Sequence, residues 1–309
     1  MSGIELRKIT VAWDKEIFFD NLSFTVNNGD VAVLLGLSGS GKSTILKTVL
    51  GVQASKTGKV FLNSRDVTNI DIRSRDIGYV PQEQHLFPNM TTEENIGFGL
   101  KMRRIAREVR KKRIREVANL VGIDFLQKDP RLLSGGEKQR VALARAIAPN
   151  PKTLLMDEPL SSLDTAERLN MSLMLKQVLG ELDVTTLYVT HSPQEAEILA
   201  DSVIVLEGGK IQQIGSFEEV ATNPVNIKVA GILGIHNILE SDTLSQFDIS
   251  RYRRGSLYII PPSKITESDG GIPAKIISHS GQYTFIEVEG KILAMKKCKS
   301  KKDIKIEII

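Results

Sequence analysis

A single cysteine, Cys298, stands in 309 residues, so no disulfide can form within the chain and a reducing compartment is the expected setting. Aromatic residues are scarce at 5%, with one tryptophan, Trp13. No window approaches the ~18 consecutive apolar residues that a bilayer-crossing helix needs. Met1 to Asp14 carries no apolar signal-peptide core, so the chain reads as one that is not exported. Neither sign of charge prevails. The 41 basic and 37 acidic residues leave +4, which supplies no electrostatic reason for a nucleic-acid partner. What remains is an ordinary globular composition, 41% hydrophobic and 25% charged, in a chain long enough for two domains with full cores.

Against that plain background one stretch stands out. Gly36-Leu37-Ser38-Gly39-Ser40-Gly41-Lys42-Ser43-Thr44 has the form G-x-x-x-x-G-K-[ST]. It follows the apolar run Val31 to Leu35 and precedes Ile45 to Leu50, so the pattern predicts a buried strand, a glycine-rich turn and a helix start. Gly36, Gly39 and Gly41 let successive N–H groups turn inward around a polyphosphate. The new helix adds its unpaired N-terminal donors and the positive end of its dipole. Lys42 reaches the β/γ-phosphates as a point charge, and the Ser43 hydroxyl can ligate Mg²⁺.

Along the chain, Ile4 to Val26 and Gly58 to Leu62 read as strands of an antiparallel layer. Ile77 to Val80 is a short strand ending at Pro81-Gln82. Thr91, with Glu94 three residues on, marks a helix start, and the segment to about Leu133 reads as helical and exposed. It carries a basic run, Arg103, Arg104, Arg107, Arg110 to Arg113 and Arg115, read as a solvated face or a surface for phospholipid. From Pro151 strands and helices alternate, which implies a mostly parallel sheet covered on both faces. Beyond about residue 235 helical periodicity stops, and short β-type runs from Leu257 to Ile308 predict a small barrel-like β domain.

Two further features carry chemistry. Asp157 follows the apolar Leu154-Leu155-Met156, so its carboxylate falls at the carboxyl end of a buried strand, where α/β sheets bind ligands. There it suits a Mg²⁺ already held by Ser43, while Glu158 is free to orient or deprotonate an attacking water. Leu133-Ser134-Gly135-Gly136-Glu137 opens a helix with Ser134 as N-cap and bare glycine N–H groups at its positive end. That is a second anion-binding device. Since one nucleotide needs one cradle, it is read as completing the site of a second copy.

Leu133 to Arg140 resembles the signature motif of the ATP-binding-cassette ATPases. The family's other motifs stand in order: Trp13, Gly36 to Thr44, Gln82, Asp157-Glu158, Ser161 to Asp164 and His191. The resemblance covers about residues 4 to 235. It implies a P-loop NTPase cassette of α/β class, residues 1–235, with an antiparallel β layer and a helical subdomain at about 89–145. It also implies ATP and Mg²⁺ sandwiched between two cassettes. By matching position Trp13 stacks on adenine, and Gln82 senses the metal, the water and the membrane partner. Glu158 is the catalytic base, His191 contacts the γ-phosphate, and Ser134, Gly135 and Gly136 act across the dimer. The all-β extension, residues 236–309, is similar to the OB/TOBE-type domains of importer subunits for polyamines, iron, sulfate, molybdate/tungstate and sugars. The resemblance therefore implies the ATP-hydrolysing subunit of an importer on the cytoplasmic face of the cell membrane. Its partners would be two transmembrane permease subunits and, indirectly, an extracytoplasmic solute-binding protein, with an inorganic oxyanion, iron or a polyamine as cargo. A soluble cassette ATPase acting on nucleic acid or ribosomes, and an export ATPase, are the alternatives. The family's importers often carry Asp after the histidine, where this chain has Ser192-Pro193.

Overall fold

The computed structural model describes residues 2–13, 16–234, 237–240, 253–254, 257–260, 262, 265–280, 283–288, 291–296 and 304–308. Cys298, Gly281-Gln282 and the pair at residues 235–236, where the sequence places its domain boundary, lie outside them. The chain divides into two units, Met1–Ile211 and Gln212–Ile309.

In the first unit, strands β1 (Ser2–Trp13) and β2 (Glu16–Asn27) pair antiparallel, and β1 also pairs with β4 (Thr57–Leu62), which is followed by the short β5 (Arg65–Asp66). The second sheet is built on β3 (Val31–Leu35), fully buried and flanked by parallel neighbours. Across the sheet β6 (Ile77–Val80), β7 (Thr153–Asp157), β8 (Thr185–Thr190), β3 and β9 (Ser202–Glu207) lie side by side, and β10 (Lys210–Gly215), along which the unit boundary falls, closes the edge. The four strands β3, β7, β8 and β9 are buried almost throughout because both faces are covered, as parallel sheets require. The main core fills the space between the two sheets and helix α1 (Lys42–Leu50), with Ile4, Leu6, Phe19, Leu34, Leu46, Leu187 and Ile204 at its centre.

The segment read as one helical stretch is two helices, α2 (Thr92–Met102) and α3 (Arg107–Leu120), with a single 3₁₀ turn at Pro130–Leu132. The expected start is present: Thr91 Oγ1 accepts from Glu94 N, and the Glu94 carboxylate accepts from Thr91 N. The break follows Met102, where Arg104 takes a left-handed φ of 56° and Arg103 reaches out to Pro149 O and Asp76. The basic run is therefore not one solvated face. Arg113 donates to Ala148 O and Ile147 O, satisfying carbonyls at the end of α4 (Gly135–Ile147) that the helix itself leaves open. Arg104, Arg107, Lys112 and Arg115 are the exposed remainder. Helices α5 (Thr165–Glu181) and α6 (Pro193–Leu199) complete the crossovers.

The second unit begins with α7 (Phe217–Thr222) and α8 (Ile227–Ile232). A three-stranded sheet of β11 (Ile238–Glu240), β12 (Arg253–Arg254) and β13 (Leu257–Ile259) follows, then a four-stranded sheet of β14 (Ile265–Ser280), β15 (Tyr283–Val288), β16 (Lys291–Lys296) and β17 (Ile304–Ile308). Every pairing among these strands is antiparallel. A core of Ile260, Ile265, Ile286, Leu293, Met295 and Ile306 holds them, and fully buried Asn237 ties the start of β11 to Ala294 of β16 by two 2.7 Å hydrogen bonds.

Candidate functional site

The glycine-rich turn joins β3 to α1. At Gly36 a side chain is impossible, because a Cβ would lie 2.3 Å from Leu206 O. Gly41 has φ of 105° and would drive a Cβ to 2.4 Å from Phe19 Cζ, so only glycine can serve there. Gly41 is also the N-cap of α1 and offers no side-chain acceptor. The first N–H groups of α1 are thus left for a ligand. Ser38 and Gly39 are exposed, Ser43 and Thr44 half-buried, and the buried Ser40 Oγ has no hydrogen-bond partner. Lys42 is 4% exposed; its amine donates to Gly36 O at 2.9 Å and Leu37 O at 3.0 Å and lies 3.7 Å from a Glu158 oxygen. Burial lowers the Lys42 pKa, and the Glu158 charge opposes that.

Across from it, β7 delivers Asp157 and Glu158. The Ser43 hydroxyl donates to Asp157 Oδ1 at 2.9 Å, joining the cradle to the sheet. Burial pushes the Asp157 carboxyl pKa up, with the Ser43 hydrogen bond pulling the other way. Glu158 has φ of 42°, a conformation non-glycine residues hold only when the surroundings enforce it. The enforcing contact is its N–H on Val189 O at 2.9 Å. The turn aims the carboxylate at His191, whose Nδ1 lies 2.9 Å from Glu158 Oε2. His191 follows β8, and Ser192 caps α6 by accepting from Glu195 N, with Pro193 at the first helical position. The capping role that Asp would perform is thereby kept.

The remaining sequence candidates are placed differently. Ser134 forms the expected cap of α4 as a reciprocal box with Glu137, and Gly135 and Gly136 occupy the first helical turn. Neither glycine is required by the chain's own packing: a Cβ would meet Leu163 at 3.4 Å or Met171 at 3.8 Å. No hydrogen bond among the described residues joins this turn to Lys42, Ser43, Asp157 or Glu158. Gln82 stands exposed in the loop after β6, with no described hydrogen bond to Ser43 or Asp157. Trp13 closes β1, and its side chain lies outside the described residues. Sequence reasoning missed Gln84, whose amide donates to Gln139 Oε1 at 3.1 Å and Ser162 Oγ at 3.3 Å. Arg145 fixes that loop by donating to the carbonyls of Gln84 and His85. No local signal marks contacts made across 55 and 78 positions.

The donor set fits a nucleotide with Mg²⁺. Ser43 and Asp157 are hard oxygen ligands, and no cluster of three metal-ligating side chains stands among the described residues. This pattern suits an ion that keeps waters and shares phosphate oxygens. Ser40 Oγ, buried in the turn close to Gly36, adds a polar atom with no hydrogen-bond partner.

A family model described as "ABC transporter" matches residues 19–161. The chain is 38% identical over 251 residues to the spermidine/putrescine import ATP-binding protein of Mannheimia succiniciproducens, covering 81% of this chain and 67% of that one. It is 42% identical over 237 residues to the molybdate/tungstate import ATP-binding protein of Pyrococcus abyssi, covering 76% and 69%. Among solved structures, a dimeric ATP-binding cassette in a post-hydrolysis state with ADP and phosphate superposes with a TM-score of 0.61 at 29% identity, over 69% of this chain and 98% of the other.

Proposed function

The chain belongs to the ABC transporter family as an ATPase of the import type, and from that premise we propose that it powers solute uptake by hydrolysing Mg·ATP between two copies of its cassette, residues 1–235. The observation that carries this reading is the chain of contacts Ser43–Asp157 at 2.9 Å and Glu158–His191 at 2.9 Å, gathered at the carboxyl edge of a parallel sheet beside the Gly36–Thr44 turn. The inward N–H groups of that turn and the Lys42 amine bind the β/γ-phosphates, whose oxygens compete with the Gly36 and Leu37 carbonyls for Lys42. Ser43 and Asp157, with Gln82 as a further candidate ligand, would hold Mg²⁺, which would supply charge neutralisation at the phosphates. Glu158 holds the attacking water at its carboxylate and takes its proton. His191, with Nδ1 on Glu158, leaves Nε2 for a γ-phosphate oxygen.

The turn Ser134-Gly135-Gly136 faces the nucleotide of the second copy. Two glycines that this chain does not need sterically are explained if a phosphate must approach the backbone there. Trp13 is assigned to the adenine. Among the described residues no helix is long and apolar enough to cross a membrane, so the route for the solute is assigned to two permease subunits on which this chain sits at the cytoplasmic face. A solute-binding protein on the far side acts indirectly. The cargoes in the relatives' names, a polyamine and molybdate or tungstate, are of opposite charge on one kind of cassette. Cargo choice is accordingly assigned to those partners, and an oxyanion, iron or a polyamine is the cargo proposed.

Purified wild type and Glu158→Gln test the reading. The variant is expected to bind ATP within about twofold of wild type and to lose turnover by about 10²–10⁴. It should sediment as a dimer with ATP and as a monomer without. Near-normal turnover would remove Glu158 as the base, and a monomer with ATP would overturn the two-copy site.

A further inference from the structure

Tyr188, on β8, is fully buried, and its hydroxyl donates to Glu195 Oε2 at 2.7 Å. Glu195 is 4% exposed and belongs to the first turn of α6, directly after His191 and Ser192. Its other oxygen lies 3.8 Å from Arg168 Nε, a buried nitrogen with no hydrogen-bond partner of its own. Arg168 is on α5, and its Nη2 donates to Leu163 O at 2.9 Å. Leu163 is buried in the Ser161–Asp164 loop, and its Cδ2 would lie 3.4 Å from a Cβ built on Gly135. Each group in this series is buried or held to the next. None belongs to the nucleotide machinery described above.

One end of the series is Glu195, whose N–H donates to Ser192 Oγ next to His191, and the other is Leu163, beside Gly135. The series therefore spans the two faces of one copy: the face that meets its own γ-phosphate, and the turn offered to the nucleotide of the other copy. A buried carboxylate is costly to desolvate unless it is paired, yet among the described residues the Glu195 carboxylate is held by one hydroxyl and by a guanidinium at 3.8 Å. A stretched pair of this kind has room to tighten, and tightening moves Arg168 and the Leu163 carbonyl it holds. We propose that Arg168 and Glu195 are positioning residues that couple the two ATP sites of the dimer, transmitting the position of the His191 turn to the Ser134–Gly136 turn through Leu163. This rests on the two-copy reading. The coupling is reciprocal, as any linkage between sites must be: closure of the signature turn on the second nucleotide also settles His191 on the first.

The test uses the full chain. Wild type is expected to hydrolyse ATP cooperatively, with a Hill coefficient near 2 for two coupled sites. Arg168→Met and Glu195→Gln should bind ATP within about twofold of wild type, lose roughly tenfold in turnover and fall to a Hill coefficient near 1, with Arg168→Lys recovering part of both. Glu195→Gln keeps an acceptor for Tyr188 and removes only the charge facing Arg168, so it carries the test if Arg168→Met fails to fold. A lowered Tm with unchanged cooperativity and turnover would mark a merely structural pair and overturn the proposal. An ATP-driven dimer of Glu158→Gln, formed while the Arg168 and Glu195 variants remain cooperative, would overturn the coupling alone. Absence of that dimer, or a wild-type Hill coefficient of 1, would overturn the two-copy reading and the coupling with it.

Discussion

At the scale of the residue, Asp157 shows how a site costs stability. Its carboxylate is 6% exposed, and burial raises its pKa above the ordinary 3.8. The folded state therefore holds the proton more tightly than the unfolded state does. The stability this confers is fully present below pH 3.8 and is lost as pH rises through the raised folded value. At neutral pH the protein carries the burden of a buried charge. Asp157→Asn, which still offers Ser43 an acceptor, is expected to stabilise the nucleotide-free protein at pH 7 and to give no gain in acid below the unfolded pKa. Thermal denaturation across pH checks both arms. Adding Mg²⁺ and ATP together should raise the Tm of wild type far more than that of the variant, because ligand bound only to the folded state stabilises it by mass action.

At the scale of the element, α4 separates what a helix needs from what a ligand needs. Its capping box is worth about 1 kcal/mol to the fold, whereas two glycines in its first turn weaken the helix. Since a Cβ at Gly136 meets nothing closer than Met171 at 3.8 Å, Gly136→Ala is expected to leave stability unchanged or raise it slightly, by up to about 1 kcal/mol. ATP turnover should nonetheless fall at least tenfold. Melting and steady-state hydrolysis on the same preparation decide it: a variant both stable and fully active would show that no phosphate approaches that turn. The basic run makes a related point. Arg113 differs from its neighbours in the run by the way α3 turns it, and Arg103 by standing just past the end of α2; each reaches a carbonyl just after the end of α4.

At the scale of the whole molecule, the two units have separate cores, and Asn237 is the polar key of the second. Both of its bonds to Ala294 are buried, so Asn237→Ala leaves an N–H and a C=O without partners, at about 1–3 kcal/mol for each. Calorimetry of the full chain is expected to show the unfolding transition of the β unit moved down by several degrees. ATP turnover should stay within about twofold, because every residue assigned to hydrolysis belongs to Met1–Ile211. Loss of turnover in step with that transition would instead tie the β unit to the catalytic cycle.

The sequence by itself determined what local chemistry can specify. The Gly36–Thr44 turn, the caps at Thr91 and Ser134, the acid pair ending β7 and the β character of the C-terminal segment all follow from residues within a few positions of each other. Glycine conformations, capping boxes and strand patterns are short-range properties. Only the tertiary structure decided the rest. It broke the 92–120 segment at Arg104, placed Ser43 on Asp157 across 114 positions, turned Glu158 toward His191, and drew Gln84, Arg168 and Glu195 into contacts that no spacing announces. Those arrangements depend on strand order and helix packing, which bring distant positions together only once a core has formed.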